Sequence, residues 1–198
     1  MPGSSLWLLP PRGHPLEAAL SKLIAQTAAQ FGSPHTFLPH VTLTSDIAAD
    51  VYAPNPKAWL DALLLPPASQ THVSLGPLAS DPVYVRKLYS RVSKPGVGLL
   101  THATRSVVQP NPWELENWLE EKWVPHLSLL YHDCPVVEKE KLREVEAWVG
   151  VEGVKLHEGR GGEGEGEGEM GGWTGGRVVL VDTSRPIGEW VPIAERVL

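Results

Sequence analysis

The sequence predicts a mixed fold of short strands and helices assembled from two related halves. Two observations carry this reading. Apolar residues alternate with polar ones over some short runs and recur at helical spacing over others. In addition, "PHVTL" at residues 39–43 returns 86 positions later as "PHLSL" at 125–129, close to half the 198-residue chain once a Gly/Glu-rich stretch is set aside. Duplication of a half-domain leaves that kind of trace.

Taken in order, "SLWLL" is a short strand. A helix follows from Pro15 to Phe31, because Leu16, Leu20, Leu23, Ile24, Thr27 and Phe31 share one 3.6-residue stripe, with proline to start it and Gly32 to stop it. "HVTLTSDI" alternates as a strand does. Asn55 and Pro56 then open a second helix carrying Trp59, Leu60, Leu63 and Leu64, which Pro66 ends. "THVSLGPLA" and "VYVRKLYSRV" are expected strands, residues 97–122 are expected to be helical, and "HLSLLY" is a strand. "VEKEKLREVEAWV" is a charged amphipathic helix with Leu142, Val145, Trp148 and Val149 inward. "GVKLH" and "RVVLVDT" are the expected closing strands. Between them lies a tract of alternating Gly and Glu, which cannot bury enough apolar surface to offset the entropy of ordering it. The expected organisation is one domain over 1–198 with a flexible loop at about 158–176.

The bulk numbers narrow the function. Apolar content of 42 % and charge of 20 % suit a globular domain, and 198 residues suffice for a sizeable core. One cysteine, Cys134, allows no internal disulfide, so a reducing, intracellular and cytoplasmic setting is expected, with endomembrane or Golgi association left open. The run "LWLL" is cut by Pro10 and Pro11, so neither a signal peptide nor a membrane span is expected. Of the net charge of −6, most sits in Glu158, Glu163, Glu165, Glu167 and Glu169. The near-neutral remainder has no basic stripe along which a long polyanion could release counterions, so a small ligand is expected in place of long nucleic acid.

The repeated frame carries the chemistry. His-x-Ser/Thr alone is weak: with 13 Ser and 9 Thr in 198 residues, eight histidines give about one chance match. Four occur, at His40, His72, His102 and His126, but only His40 and His126 share the frame Pro-His-aliphatic-hydroxyl-Leu. On a strand, residues i and i+2 face one side and i+1 and i+3 the other. Val41, Leu43, Leu127 and Leu129 therefore anchor the core while His40 and Thr42, and His126 and Ser128, are presented together. An imidazole titrates near neutrality, so one ring can accept a proton while its partner donates one. The hydroxyls can donate to phosphate oxygens. That set suits phosphodiester hydrolysis. His72 and His102 lack the frame and are expected to be structural.

"LWLLPP", "FLPHVTLTS", "WVPHLSLLYHD" and a closing strand followed by "GEW" resemble, in the same order, the two-histidine phosphoesterase superfamily. Within it the chain is most similar to the fungal and plant 2′,3′-cyclic-nucleotide 3′-phosphodiesterases. The resemblance implies an α+β, bilobal fold in which two antiparallel sheets face a central cleft with helices on their outer faces. It implies metal-independent catalysis without a cofactor, with His40 and His126 as the acid–base pair and Thr42 and Ser128 as phosphate-oxygen donors. Trp7 and Tyr131 match positions where the family places aromatics near substrate, although Tyr131 reaches the His126 side only if the strand ends or bends before it.

The expected substrate is a cyclic nucleotide or the cyclic phosphate of ADP-ribose, opened at the 3′ oxygen to leave a 2′-phosphate (ADP-ribose 1″-phosphate for the latter), and the expected state is a monomer. Three alternatives use the same residues differently: an enzyme of RNA ends or 2′–5′ linkages, a nucleotide-binding module without turnover, and a metal site of His40, His126 and His72. The first lacks a basic stripe, the second needs no paired histidines, and the third has no supporting Cys or carboxylate spacing.

Overall fold

The computed structural model describes residues 3–157 and 170–198. Its strands are β1 (Ser4–Leu9), β2 (Val41–Ile47), β3 (His72–Ala79), β4 (Leu88–Val92), β5 (His126–Leu130), β6 (Gly172–Thr174), β7 (Arg177–Val181) and β8 (Pro192–Val197). The helices are α1 (Pro15–Phe31), α2 (Ala49–Tyr52), α3 (Pro56–Ala62), α4 (Lys94–Arg105), α5 (Pro112–Asn117) and α6 (Lys139–Val151). The fold is α+β, with eight strands in the order β6-β3-β4-β5-β2-β1-β7-β8 and every pairing antiparallel. The ladder is continuous, where two sheets were expected. It is thinnest at its centre, where β2 and β5 share the single register pair Val41↔Leu127.

Strand alternation divides the sheet into two faces. Leu6 and Leu8 of β1, Val41 and Leu43 of β2, Leu127 and Leu129 of β5, and Val178 and Leu180 of β7 enter one core with Leu16, Leu20, Leu23 and Ile24 of α1. Each such side chain contributes roughly 1.5–3 kcal/mol through burial, and Leu23→Ala would cost about 2–5 kcal/mol. Helix α1 begins where the His14 Nδ1 accepts from the Leu16 N–H at 3.3 Å, and it ends at Gly32, whose φ of 72° a residue with a Cβ adopts at a cost. On the opposite face Trp7, Leu9, Val179 and Val181 form a smaller cluster with Leu38 and Trp190 against it. No helix among the described residues is long and apolar enough to cross a membrane.

Several elements differ from the sequence expectation. "GVKLH" is not a strand; the Lys155 and His157 amides donate instead to the carbonyls of Met170 and Leu75, at 2.9 and 2.8 Å. The second partner of β3 is β6, three residues lying inside the expected 158–176 loop, of which 158–169 fall outside the described residues. Gly172 permits this pairing, because a Cβ there would sit 1.9 Å from the Val73 carbonyl oxygen. The edge strand β8 has a half-exposed pattern with Glu195 and Arg196 in it, the charged composition that blunts a sheet edge and hides the strand from an apolar alternation search. The expected strand from Val83 starts only at Leu88, after a 3₁₀ turn at Tyr84–Arg86. Leu64, read as part of a helical apolar face, lies beyond α3 and is 94 % exposed.

Candidate active site

The two histidine frames meet at the centre of the sheet. Carrying the Val41↔Leu127 register one residue either way sets His40 opposite Ser128 and Thr42 opposite His126. The frames therefore lie head to tail, with their aliphatic residues in the core and their polar residues on the other face.

The prolines of the frame have a geometric role. His40 Nδ1 lies 2.6 Å from the Leu38 carbonyl oxygen, and His126 Nδ1 lies 2.6 Å from that of Val124. In both cases the acceptor belongs to the residue before the proline, which proline holds in the extended region while fixing its own φ. A carbonyl only accepts, so each Nδ1 carries the hydrogen. Each neutral ring thus offers its Nε2 lone pair for chemistry.

His40 is the deeper ring, 4 % exposed. Trp7 stacks on it with ring centroids 3.7 Å apart and planes at 11°, Phe37 meets it edge-on at 6.1 Å, and the Tyr131 hydroxyl lies 3.3 Å from its Nε2. Burial pulls its pKa down to about 3; the Leu38 carbonyl opposes this and His126 adds to it. His126 is half-buried, with Tyr89 edge-on at 5.5 Å. Its pKa is also lowered, first by burial and then by Arg86, against the Val124 carbonyl and Asp81. Arg86 and Asp81 are themselves an ion pair at 3.2 Å, and Asp81 also accepts from the Tyr89 hydroxyl at 3.2 Å.

Tyr131 reaches the site because β5 stops at Leu130, which frees the next residue from strand alternation. Its carbonyl accepts from Ser33 Oγ at 2.7 Å, and its ring stacks on Phe37 at 3.8 Å. Burial pushes its phenol up, so the hydroxyl stays protonated and donates to His40 Nε2. Trp7 is 2 % exposed, and one of its faces is occupied by His40. It braces that ring and is not an open platform.

The two hydroxyls are not equivalent. Ser128 is 3 % exposed and donates to the Val85 carbonyl at 2.6 Å. The Thr42 side chain is half-buried and makes no hydrogen bond among the described residues, while its carbonyl accepts from Trp123 Nε1 at 3.3 Å.

The other two histidines are held elsewhere. His72, in β3, faces the Ser69 carbonyl and the Thr174 hydroxyl at 2.9 and 3.0 Å, and His102, on α4, pairs with Glu116 at 3.3 Å. Among the described residues no three His, Cys, Asp or Glu side chains converge, so His40, His126 and His72 do not form a ligand set. Two surface depressions of about 510 and 360 Å³ contain neither histidine frame. Sequence reasoning missed Tyr89 and Phe37. The signals for them are that Phe37 lies inside "FLPHVTLTS" and that Tyr89 starts the i, i+2 series Tyr89, Arg91 opposite Ser128 and His126.

Comparison with known proteins bears on this arrangement. The family model described as cyclic phosphodiesterase-like protein matches residues 1–198. The chain belongs to that family. Its relatives include a protein of Phaeosphaeria nodorum, 46 % identical over 201 residues, and one of Neurospora crassa, 39 % identical over 218 residues, with all of both chains covered in each case. A protein of Yarrowia lipolytica is 27 % identical over 225 residues, covering 98 % of this chain and 99 % of its own. All three are named 2′,3′-cyclic-nucleotide 3′-phosphodiesterase. Both histidine frames lie within the matched span of this cyclic phosphodiesterase-like chain.

Proposed function

We propose that the protein hydrolyses 2′,3′-cyclic nucleotides to nucleoside 2′-phosphates by acid–base catalysis between His40 and His126. The observation that carries this is the head-to-tail register of the two Pro-His-x-hydroxyl frames, each ring held by its Nδ1–H so that Nε2 faces the reaction. Water attacks phosphorus, the bond from phosphorus to the 3′ oxygen breaks, one Nε2 takes the water proton and the other supplies a proton to the 3′ oxygen. His40 suits the base, because burial keeps it neutral and Tyr131 holds its tautomer until water takes the place of the hydroxyl. His126, more exposed and near Asp81, suits the acid. Thr42, whose hydroxyl is uncommitted among the described residues, donates to an equatorial oxygen as charge grows on it, and Ser128 does the same once its single hydroxyl hydrogen turns from the Val85 carbonyl to the substrate. Strain in the cyclic phosphate and in-line positioning leave no step that requires a metal.

The cyclic phosphate of ADP-ribose presents the same reacting group and falls within this reading. So does descent of the two four-stranded sets, β5-β4-β3-β6 and β2-β1-β7-β8, from a duplicated half facing one cleft. The names of the relatives support the substrate class.

The test is turnover of 2′,3′-cyclic AMP by purified protein in chelator, with the product isomer identified. The 2′-phosphate is the expected product. The 3′-phosphate, or activity abolished by chelator, would overturn the mechanism.

A further inference from the structure

The site face continues beyond His126 onto β4. Register pairs Tyr89 with Ser128 and Arg91 with His126, and directly opposed residues of an antiparallel pair share a face with Cβ atoms about 5 Å apart. The edge-on contact of Tyr89 with His126 shows which face this is, and Arg91, two residues on, projects from it as well. Tyr89 is buried, whereas Arg91 is exposed.

The cations here are committed differently. Arg86 is paired with Asp81. Among the described residues the Arg91 side chain makes no ion pair or hydrogen bond, although every other residue of β4 is buried. The result is a planar, permanently charged donor fork one strand away from the acid histidine, with no internal partner. A phosphoryl oxyanion, the anion that the proposed substrates carry, matches such a fork with two parallel N–H···O bonds.

We infer that Arg91 forms an anion subsite for a phosphoryl group on the 5′ oxygen of the same ribose that carries the cyclic phosphate. This rests on the function proposed above and narrows its substrate class. Bare cyclic nucleosides would be poorer ligands than those continuing through a 5′-phosphate or a 5′-diphosphate bridge. Gly76 supports the placement: a Cβ there would come within 3.3 Å of the Arg91 carbonyl and 3.4 Å of its Cβ, so the strand beside Arg91 stays bare and leaves its stem room.

The test compares equilibrium binding of adenosine 2′-phosphate and adenosine 2′,5′-bisphosphate by calorimetry, with turnover of the matching cyclic phosphates measured in parallel. In the wild type the 5′-phosphate should tighten binding about five- to tenfold, the scale of a solvent-facing charge-assisted contact. Arg91→Ala should bring that ratio to about one, and Arg91→Lys should retain part of it. General damage to the site would weaken both ligands alike and leave the ratio intact, which would overturn the assignment, as would a wild-type ratio of one. Discrimination in binding without turnover of either cyclic phosphate would sink the catalytic reading and keep the subsite. A dinucleotide ending in a 2′,3′-cyclic phosphate, used as a third ligand, separates an oligonucleotide end from a free 5′-phosphate.

Discussion

Acidification from pH 7 to pH 5 should destabilise the fold through His40 more than through any carboxylate. In the native state burial holds this ring at about 3, whereas in the unfolded chain an imidazole titrates near ~6.5. Between those values the unfolded chain binds a proton that the native protein does not, so unfolding becomes easier as pH falls. The stabilisation is fully present above the unfolded value and is lost toward the folded one, with a limiting slope of about 1.4 kcal/mol per unit. Integrated from pH 7 to pH 5, His40 alone accounts for ~2 kcal/mol. His126 contributes with the same sign. The assay is urea unfolding at half-unit steps for the wild type and for His40→Asn, which keeps a donor for the Leu38 carbonyl but cannot titrate. The gap between the two curves should change by ~2 kcal/mol over that window in favour of the variant at low pH. Parallel curves would show that His40 titrates normally and that its burial does not set its charge.

Three further outcomes follow from the site geometry. Thr42→Ala and Ser128→Ala should each lose about 10²-fold in kcat, but only Ser128→Ala should also lower stability, by about 0.5–1.5 kcal/mol, because it removes the hydrogen bond to the half-buried Val85 carbonyl. Equal stabilities would mean that the Ser128–Val85 bond contributes nothing. Because both rings are depressed, the bell of kcat/KM against pH should centre on the acid side of about 6.5, with the kcat profile displaced upward where the anionic substrate favours protonated rings; a flat profile from pH 5 to 8 would exclude the paired scheme. Gly172→Ala should cost about 1–3 kcal/mol or more in thermal or urea unfolding, since its Cβ would meet the Val73 carbonyl and push β6 off β3; an unshifted midpoint would mean that β6 adds nothing to the sheet.

How much of this was legible in the sequence follows from which forces act locally. The strand of Val41 and Leu43, the strand of Leu127 and Leu129 and the stripe of α1 are set by apolar period and by Pro and Gly at their ends, and the structure forms them where that pattern lies. The histidine frame was legible because proline, imidazole and hydroxyl stand together in the chain. The role of its proline was not, because the Leu38 and Val124 carbonyls matter only once the rings are placed. The strands β6 and β8 were missed because pairing, not composition, makes them strands: β6 is three residues beside a glycine-rich tract, and β8 is a charged edge. Tyr131 was ambiguous because its face depends on β5 ending one residue earlier. Arg91 carried no motif, and only the register opposite His126 singles it out.

The central claim is that His40 and His126 together open the cyclic phosphate at the 3′ oxygen. Its most direct test is single-turnover hydrolysis of 2′,3′-cyclic AMP by the wild type, His40→Ala, His126→Ala and His72→Ala, with folding of each variant checked by its urea midpoint. The first two substitutions should each lower the rate by about two to four orders of magnitude, with 2′-AMP as the product throughout, while His72→Ala, whose ring faces Ser69 and Thr174, should match the wild type. A near-wild-type rate for either His40→Ala or His126→Ala, or a loss in His72→Ala as large as theirs, would contradict the account.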